Sequence, residues 1–122
     1  VSFRAEIKNK IRDFEALKNA IEHRLNGTLH EDSPINVFGS TCEHHATFPR
    51  DYYKLGIKER EGEFDLIYDN MLSAVGGRGA GKLLDAYNLE KTLIEANAMG
   101  YATSEYTEQD GTQVMEVYVT EY

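Results

Sequence analysis

The chain has 122 residues, one cysteine, 41% hydrophobic and 28% charged side chains, and a formal net charge of −8. That suffices for one domain, residues 1–122, with a hydrophobic core that needs no disulfide or metal staple, and it excludes a disordered chain or a disulfide scaffold. No apolar run approaches the ~20 residues of a membrane-spanning helix, and the shortage of cations weighs against sequence-independent nucleic-acid binding, which rests on Lys and Arg neutralising phosphates.

The charge is uneven. Residues 1–30 carry six basic and four acidic side chains; residues 31–122 carry seven basic and seventeen acidic ones. The single Cys42, and the lack of an apolar leader in Val1-Ser2-Phe3-Arg4, set the expectation of a reducing, cytoplasmic setting.

In chain order, Phe3, Ala5, Ile7 and Ile11 alternate with Arg4, Glu6, Lys8 and Lys10, which predicts a half-buried strand. From Asp13 the period changes. Phe14, Leu17, Ile21 and Leu25 fall on one helical face, Asp13 fits the N-cap, and Asn26-Gly27 fits the stop, so a helix is predicted over about 13–26. Ile35–Phe38 reads as a short strand between Pro34 and Gly39, and residues 39–47 read as loop. Alternation at Tyr53, Leu55 and Ile57, a Glu61-Gly62 turn, and Phe64, Leu66 and Tyr68 predict a hairpin. A loop with glycines at 76, 77, 79 and 81 leads to a helix over about 82–99, stopped by Gly100. Two closing strands, 101–107 and 114–120, flank Asp110-Gly111, a type I′ turn signal. The order β-α-β-β-α-β implies a ferredoxin-like, split-βαβ α+β fold. Two helices would cover one face of a mainly antiparallel sheet, with Phe14, Leu17, Ile21, Leu84, Tyr87 and Ile94 buried. The terminal hairpin would extend an edge of that sheet or cross back over it.

Three blocks resemble the domain-of-unknown-function 1257 family, small proteins of cyanobacteria, plastids and tailed phages. They are Ser2–Lys8 leading into Ile11–Leu17; Phe64-Asp65-Leu66-Ile67-Tyr68-Asp69; and Leu83-Leu84-Asp85-Ala86-Tyr87 with Glu95-Ala96, Gly100-Tyr101 and Asp110-Gly111. The long glycine loop looks more like phage members. The resemblance implies the α+β fold, brings no catalytic residues, and would place a phage-encoded chain in the host cytoplasm.

Four groups of residues bear on function. Gly76-Gly77-Arg78-Gly79-Ala80-Gly81-Lys82 fits the G-x-x-x-x-G-K frame of a phosphate-binding loop, with Arg78 and Lys82 as the charges. Leu83, however, stands where Ser or Thr must hold Mg²⁺, which argues against an NTPase. Cys42-Glu43-His44-His45, with His30 twelve residues before, is the only soft-ligand cluster; Cys42, His44 and His30 could be three zinc ligands with His23 within reach, but His44 and His45, adjacent on an extended chain, point apart and no second cysteine is present. A Cys42 nucleophile with His44 or His45 as base meets the same objection. Finally, residues 101–122 hold five acidic side chains, four tyrosines and no basic one. Glu105, Tyr106, Glu108, Glu116 and Tyr118 are therefore candidates for a partner-binding face, since tyrosine suits an interface as well as a sheet.

The expectation is a non-catalytic accessory protein with no cofactor, no direct nucleic-acid contact and no membrane contact. It would bind a protein with a basic surface, such as a host nucleic-acid-binding or defence complex that it inhibits, or a second copy of itself. Such a copy would set the acidic hairpin against the basic first strand, Arg4, Lys8, Lys10 and Arg12. The alternative is sequestration of a nucleotide or other phosphorylated small molecule by Gly76–Lys82.

Overall fold

Alternation in the first strand, a 3.6-residue period after it and paired turn residues further on all reappear in the backbone. A computed structural model describes residues 3–119; Ser2 of the opening block and Thr120, the expected end of the last strand, lie outside them. The elements are β1 (Arg4–Ile7), α1 (Phe14–Asn19) continued by a π-helical turn (Ala20–Arg24), β2 (Thr28–His30), β3 (Ile35–Val37), β4 (Ser40–Cys42) and β5 (His44–Thr47). They continue with β6 (Leu55–Arg60), β7 (Glu63–Asp69), a 3₁₀ turn (Ser73–Val75), α2 (Gly81–Ala98), β8 (Ala102–Thr107) and β9 (Gln113–Tyr118). The protein is thus a mixed α+β chain with two helices and antiparallel sheets. Among the described residues, no helix is long and apolar enough to cross a membrane.

Five strands form one sheet in the order β1-β7-β6-β5-β2, every neighbouring pair antiparallel. Period-two alternation sends Ala5, Leu29, Ala46, Leu55, Ile57, Leu66 and Tyr68 to one face. There they meet Ile11, Leu17, Ile21, Val75, Leu83 and Tyr87 from the helical layer. Leu17 and Ile21 are fully buried and Tyr87 nearly so, while Phe14, Leu84 and Ile94 pack partly buried at the margin. Asp13 caps α1 as its position predicts, accepting from the Ala16 N–H at 3.1 Å. The Tyr87 hydroxyl accepts from the backbone N–H groups of Arg12 (3.1 Å) and Asp13 (3.0 Å), tying α2 to the start of α1. On the opposite face the β3–β4 ribbon lies flat on the sheet at Gly56. A Cβ there would stand 2.7 Å from Cys42 Sγ and 2.9 Å from Val37 Cγ2, so glycine is what lets the ribbon close over Ile67.

Several expectations need correction. The first helix widens after Asn19: the Leu25 N–H donates to the Ala20 carbonyl, five residues back, and only then does Asn26, at φ 58°, end it. Residues 39–47 are not loop but hold the whole of β4 and β5, the latter interior to the sheet. The β5 pattern hid itself because His44, His45 and Ala46 are all buried, so polarity does not alternate. The Asp110-Gly111 turn is not type I′. Glu108 N–H donates to Thr112 C=O (2.9 Å), and only Gly111 in the loop has positive φ, 90°, as in a three-residue loop with a bulge. The hairpin neither extends the five-stranded sheet nor crosses it. A split βαβ needs the strand after α2 to return beside β1, whereas β8 pairs only with β9 in a separate two-stranded sheet.

Candidate functional site

The β8–β9 ribbon is held by one ion-pair cluster that starts in the π-helical turn. Arg24, on that turn, donates from Nε to Glu90 on α2 (2.9 Å) and from both terminal nitrogens to the two carboxylate oxygens of Glu105 on β8 (2.7 and 3.0 Å). Glu90 is buried, and the hydrogen bonds of Arg24 hold the Glu105 carboxyl below the usual carboxylate range. Glu105 therefore anchors the ribbon while its side chain stays 36% exposed. Strand register explains the division of labour. Glu105 lies opposite Met115 and Thr107 opposite Gln113, and Met115 and Gln113 line a groove of about 500 Å³ against Asp85, Asn88, Leu89 and Thr92 of α2.

The next residues along each strand point away. Tyr106 (opposite Val114), Glu116 (opposite Ser104) and Tyr118 (opposite Ala102) share the outer face. Tyr106 is 45% and Tyr118 50% exposed, and Val117 and Val119 are also open to solvent. Glu116 accepts the Tyr118 hydroxyl proton at 2.7 Å. That hydrogen bond pushes the Tyr118 phenol up, and desolvation with the charge of Glu116 pushes Tyr106 up, so both hydroxyls stay protonated and neutral. Glu108 sits in the connecting turn. Of the five expected partner residues, the structure brings Tyr106, Glu116 and Tyr118 together on one face, with Glu108 at the tip and Glu105 beneath.

The glycine loop is organised around a carbonyl acceptor. The buried Tyr68 hydroxyl lies 2.8 Å from the Gly77 carbonyl and 2.6 Å from that of Arg78, so these carbonyl oxygens, rather than N–H groups, face inward. Gly76 sits at φ 91°, and a Cβ on it would come 2.6 Å from Lys82 N, so the loop backbone closes over the first turn of α2. Arg78 stacks 4.9 Å over the Phe3 ring at one side. Lys82 lines a separate groove with Arg24, Leu25 and Asp85. The candidate residues Gly76, Gly77, Arg78, Gly79, Gly81 and Lys82 lie along one loop and helix start, with Arg78 against Phe3 and Lys82 in the groove with Arg24.

The cysteine and the histidines also part company. Cys42, at the end of β4, is fully buried between the ribbon and the sheet at Gly56, and burial, with the Glu43 charge beside it, pushes its thiol up, the opposite of an activated nucleophile. His44 Nδ1 accepts the Asp32 N–H (2.9 Å), which leaves Nε2–H to donate to Glu59 Oε1 (2.6 Å), and its ring packs against Phe14. His45 lies on the other face, with Nδ1 on the Ser33 carbonyl (2.8 Å) and its ring stacked 4.5 Å from His30. His30 Nε2 meets Thr47 Oγ1, and His23 is exposed on the π-helical turn. No group of three or more metal-ligand side chains assembles among the described residues. The β5 histidines instead pin the turn at 31–34 from both faces of the sheet.

Sequence reasoning missed Arg24, Glu90 and an aromatic cluster at the far end of the sheet. Phe3 (48%), Phe38 (47%), Tyr52 (92%) and Met71 (55%) are open to solvent there. One signal was available: Phe38-Gly39 between two short β segments puts a bulky ring at a turn position, and Phe38 takes φ 48°, a left-handed conformation that such residues avoid. Comparison with known proteins yields no match to any family model, to any curated protein or to any solved structure.

Proposed function

We propose that this protein is a non-catalytic binding module whose β8–β9 ribbon is a docking arm for a protein with a basic surface. The observation that carries the reading is the ribbon's position. It stands outside the five-stranded sheet, fastened underneath by the Arg24–Glu105 fork, with Tyr106, Glu116 and Tyr118 turned outward. A two-stranded ribbon is marginal alone in water, and half-exposed tyrosines beside carboxylates offer apolar area, hydroxyls and negative charge at once. A foreign strand with Lys or Arg between its apolar residues would match that face in shape and sign.

The resemblance to the domain-of-unknown-function 1257 family belongs to this proposal. It would make the chain a phage-encoded accessory of the host cytoplasm, and an acidic arm suits inhibition of a host complex that handles nucleic acid. The test is quantitative capture with the full chain and with Tyr106→Ser/Glu116→Gln/Tyr118→Ser as baits. Basic proteins recovered by the full chain at low salt should be lost with the variant, and should fade in raised salt as the Debye length falls from ~10 Å at 0.1 M toward ~3 Å at 1 M. Equal recovery by both baits, with both folded, would refute the docking arm.

A further inference from the structure

Two groups of exposed apolar side chains among the described residues differ in the charges beside them. The acidic one is the outer face of the ribbon. The other gathers around Asp69 at the end of β7. Asp69 lies opposite Arg4 in the sheet, accepts the Met71 N–H at 2.8 Å, and lines a groove of about 740 Å³ with Phe38, Tyr52 and Lys54. Asp69 itself is buried. The exposed charges at this end are cations apart from Glu6, which pairs with Arg4. Arg78 lies over Phe3; Arg4 reaches the Phe38 carbonyl (3.1 Å) and Ser40 Oγ (3.0 Å), with Glu6 3.6 Å away; Lys54 edges the groove. Phe38 and Tyr52 satisfy no core of their own chain.

We propose that this aromatic, basic end receives the acidic ribbon of a second copy, so that chains associate head to tail. The inference rests on the docking-arm reading and names one partner for it. Charge complementarity selects the occupant. The ribbon's outer face offers Tyr106, Tyr118 and Glu116, with no cation between residues 101 and 122, while the receiving end offers Phe3, Phe38 and Tyr52 beside Lys54, Arg78 and the Glu6-paired Arg4. Arginine over aromatic rings and carboxylates beside them is a stable pairing when desolvated. The contact is between chains because the outer face of the ribbon turns away from its own α2, against which Met115 and Gln113 of the inner face lie. Two different surfaces make a heterologous contact, which continues into a ring or a chain of copies.

The experiment uses the full chain and two variants, each with one surface disabled: Glu116→Gln/Tyr118→Ser in the ribbon, and Tyr52→Ser/Arg78→Glu at the receiving end. All these positions are exposed, and melting curves check that both variants fold. In sedimentation equilibrium the unmodified chain should gain mass with concentration and lose it with salt. Each variant alone should stay at 13.8 kDa. Mixed in equal amounts, they should form a 1:1 dimer and nothing larger, since each retains the surface the other lacks. A monomeric unmodified chain at every concentration, or a mixture that stays monomeric, overturns the proposal. If the ribbon variant also loses a foreign basic partner in that case, the docking arm stands without self-association. Binding of a single-stranded oligonucleotide by a monomeric chain, abolished by Tyr52→Ser/Arg78→Glu, would also overturn it and make the aromatic end a stacking platform for bases.

Discussion

At the scale of single residues, the decisive groups are polar atoms placed inside the protein. The Tyr87 hydroxyl receives two backbone N–H groups ahead of α1, where a helix has no carbonyls of its own to offer. Tyr87→Phe keeps the ring and removes the acceptor, so it should cost about 1–3 kcal/mol in urea unfolding; a change below ~0.5 kcal/mol would mean that water replaces the hydroxyl freely. Nothing in the sequence marks that bond, because a tyrosine on the apolar face of a helix reads only as core. Asp13 was legible because capping is local: the side chain meets an N–H three residues on. Arg24 was not, since its partners lie 66 and 81 residues away. Glu105 gives the ribbon a pH dependence whose sign is fixed. Its folded carboxyl titrates below its unfolded value, so the anchoring it supplies is present above the ordinary carboxylate range, ~4.3, and is lost as pH falls below it. Amide exchange in β8 and β9 should therefore accelerate at acid pH before that in β6 and β7, and Glu105→Gln should produce the same acceleration at neutral pH. Uniform acceleration throughout the chain would show that the fork bears on the whole fold.

At the scale of elements, α2, the β6–β7 hairpin and the helix that starts at Asp13 were readable because each pattern repeats over several turns or pairs. β5 was unreadable for a chemical reason. Its histidines are buried by specific acceptors and donors in the 31–34 turn, and a period-two search that counts histidine as polar finds loop instead. The glycine loop is a case where spacing and local geometry point different ways. Its spacing fits a phosphate-binding frame, yet Tyr68 occupies its interior, Arg78 lies against Phe3 and Lys82 lines the groove with Arg24. A panel of nucleotides and phosphorylated second messengers should accordingly leave the melting temperature unchanged, whereas a ligand at 100 times its Kd would add about 2.7 kcal/mol of stability. A rise that Arg78→Ala/Lys82→Ala abolishes would restore the sequestration reading.

At the scale of the whole molecule, a helix-covered sheet carries an appended ribbon, and the composition fits that division. The net charge of −8 is not spread evenly: the ribbon segment holds no cation, and the first thirty residues hold an excess of them. Part of that excess is spent internally, on Glu63 by Arg12 and on Glu6 by Arg4 and Lys8, so the first strand is a weaker basic surface than its sequence suggests. The pattern of the last two strands told that they pair, and could not tell with what they pack, because alternation specifies faces and not neighbours. The central claim is that the ribbon is an arm and not a part of the core. Residue-resolved amide hydrogen exchange, on the free chain and on its complex with a captured basic partner, tests it most directly. Exchange should be fast in β8–β9 and slow in β6–β7 of the free chain, and the complex should strongly protect β8–β9 with the five-stranded sheet unchanged. Protection gained at residues 76–82 or at β5, with the ribbon unaltered, would contradict it.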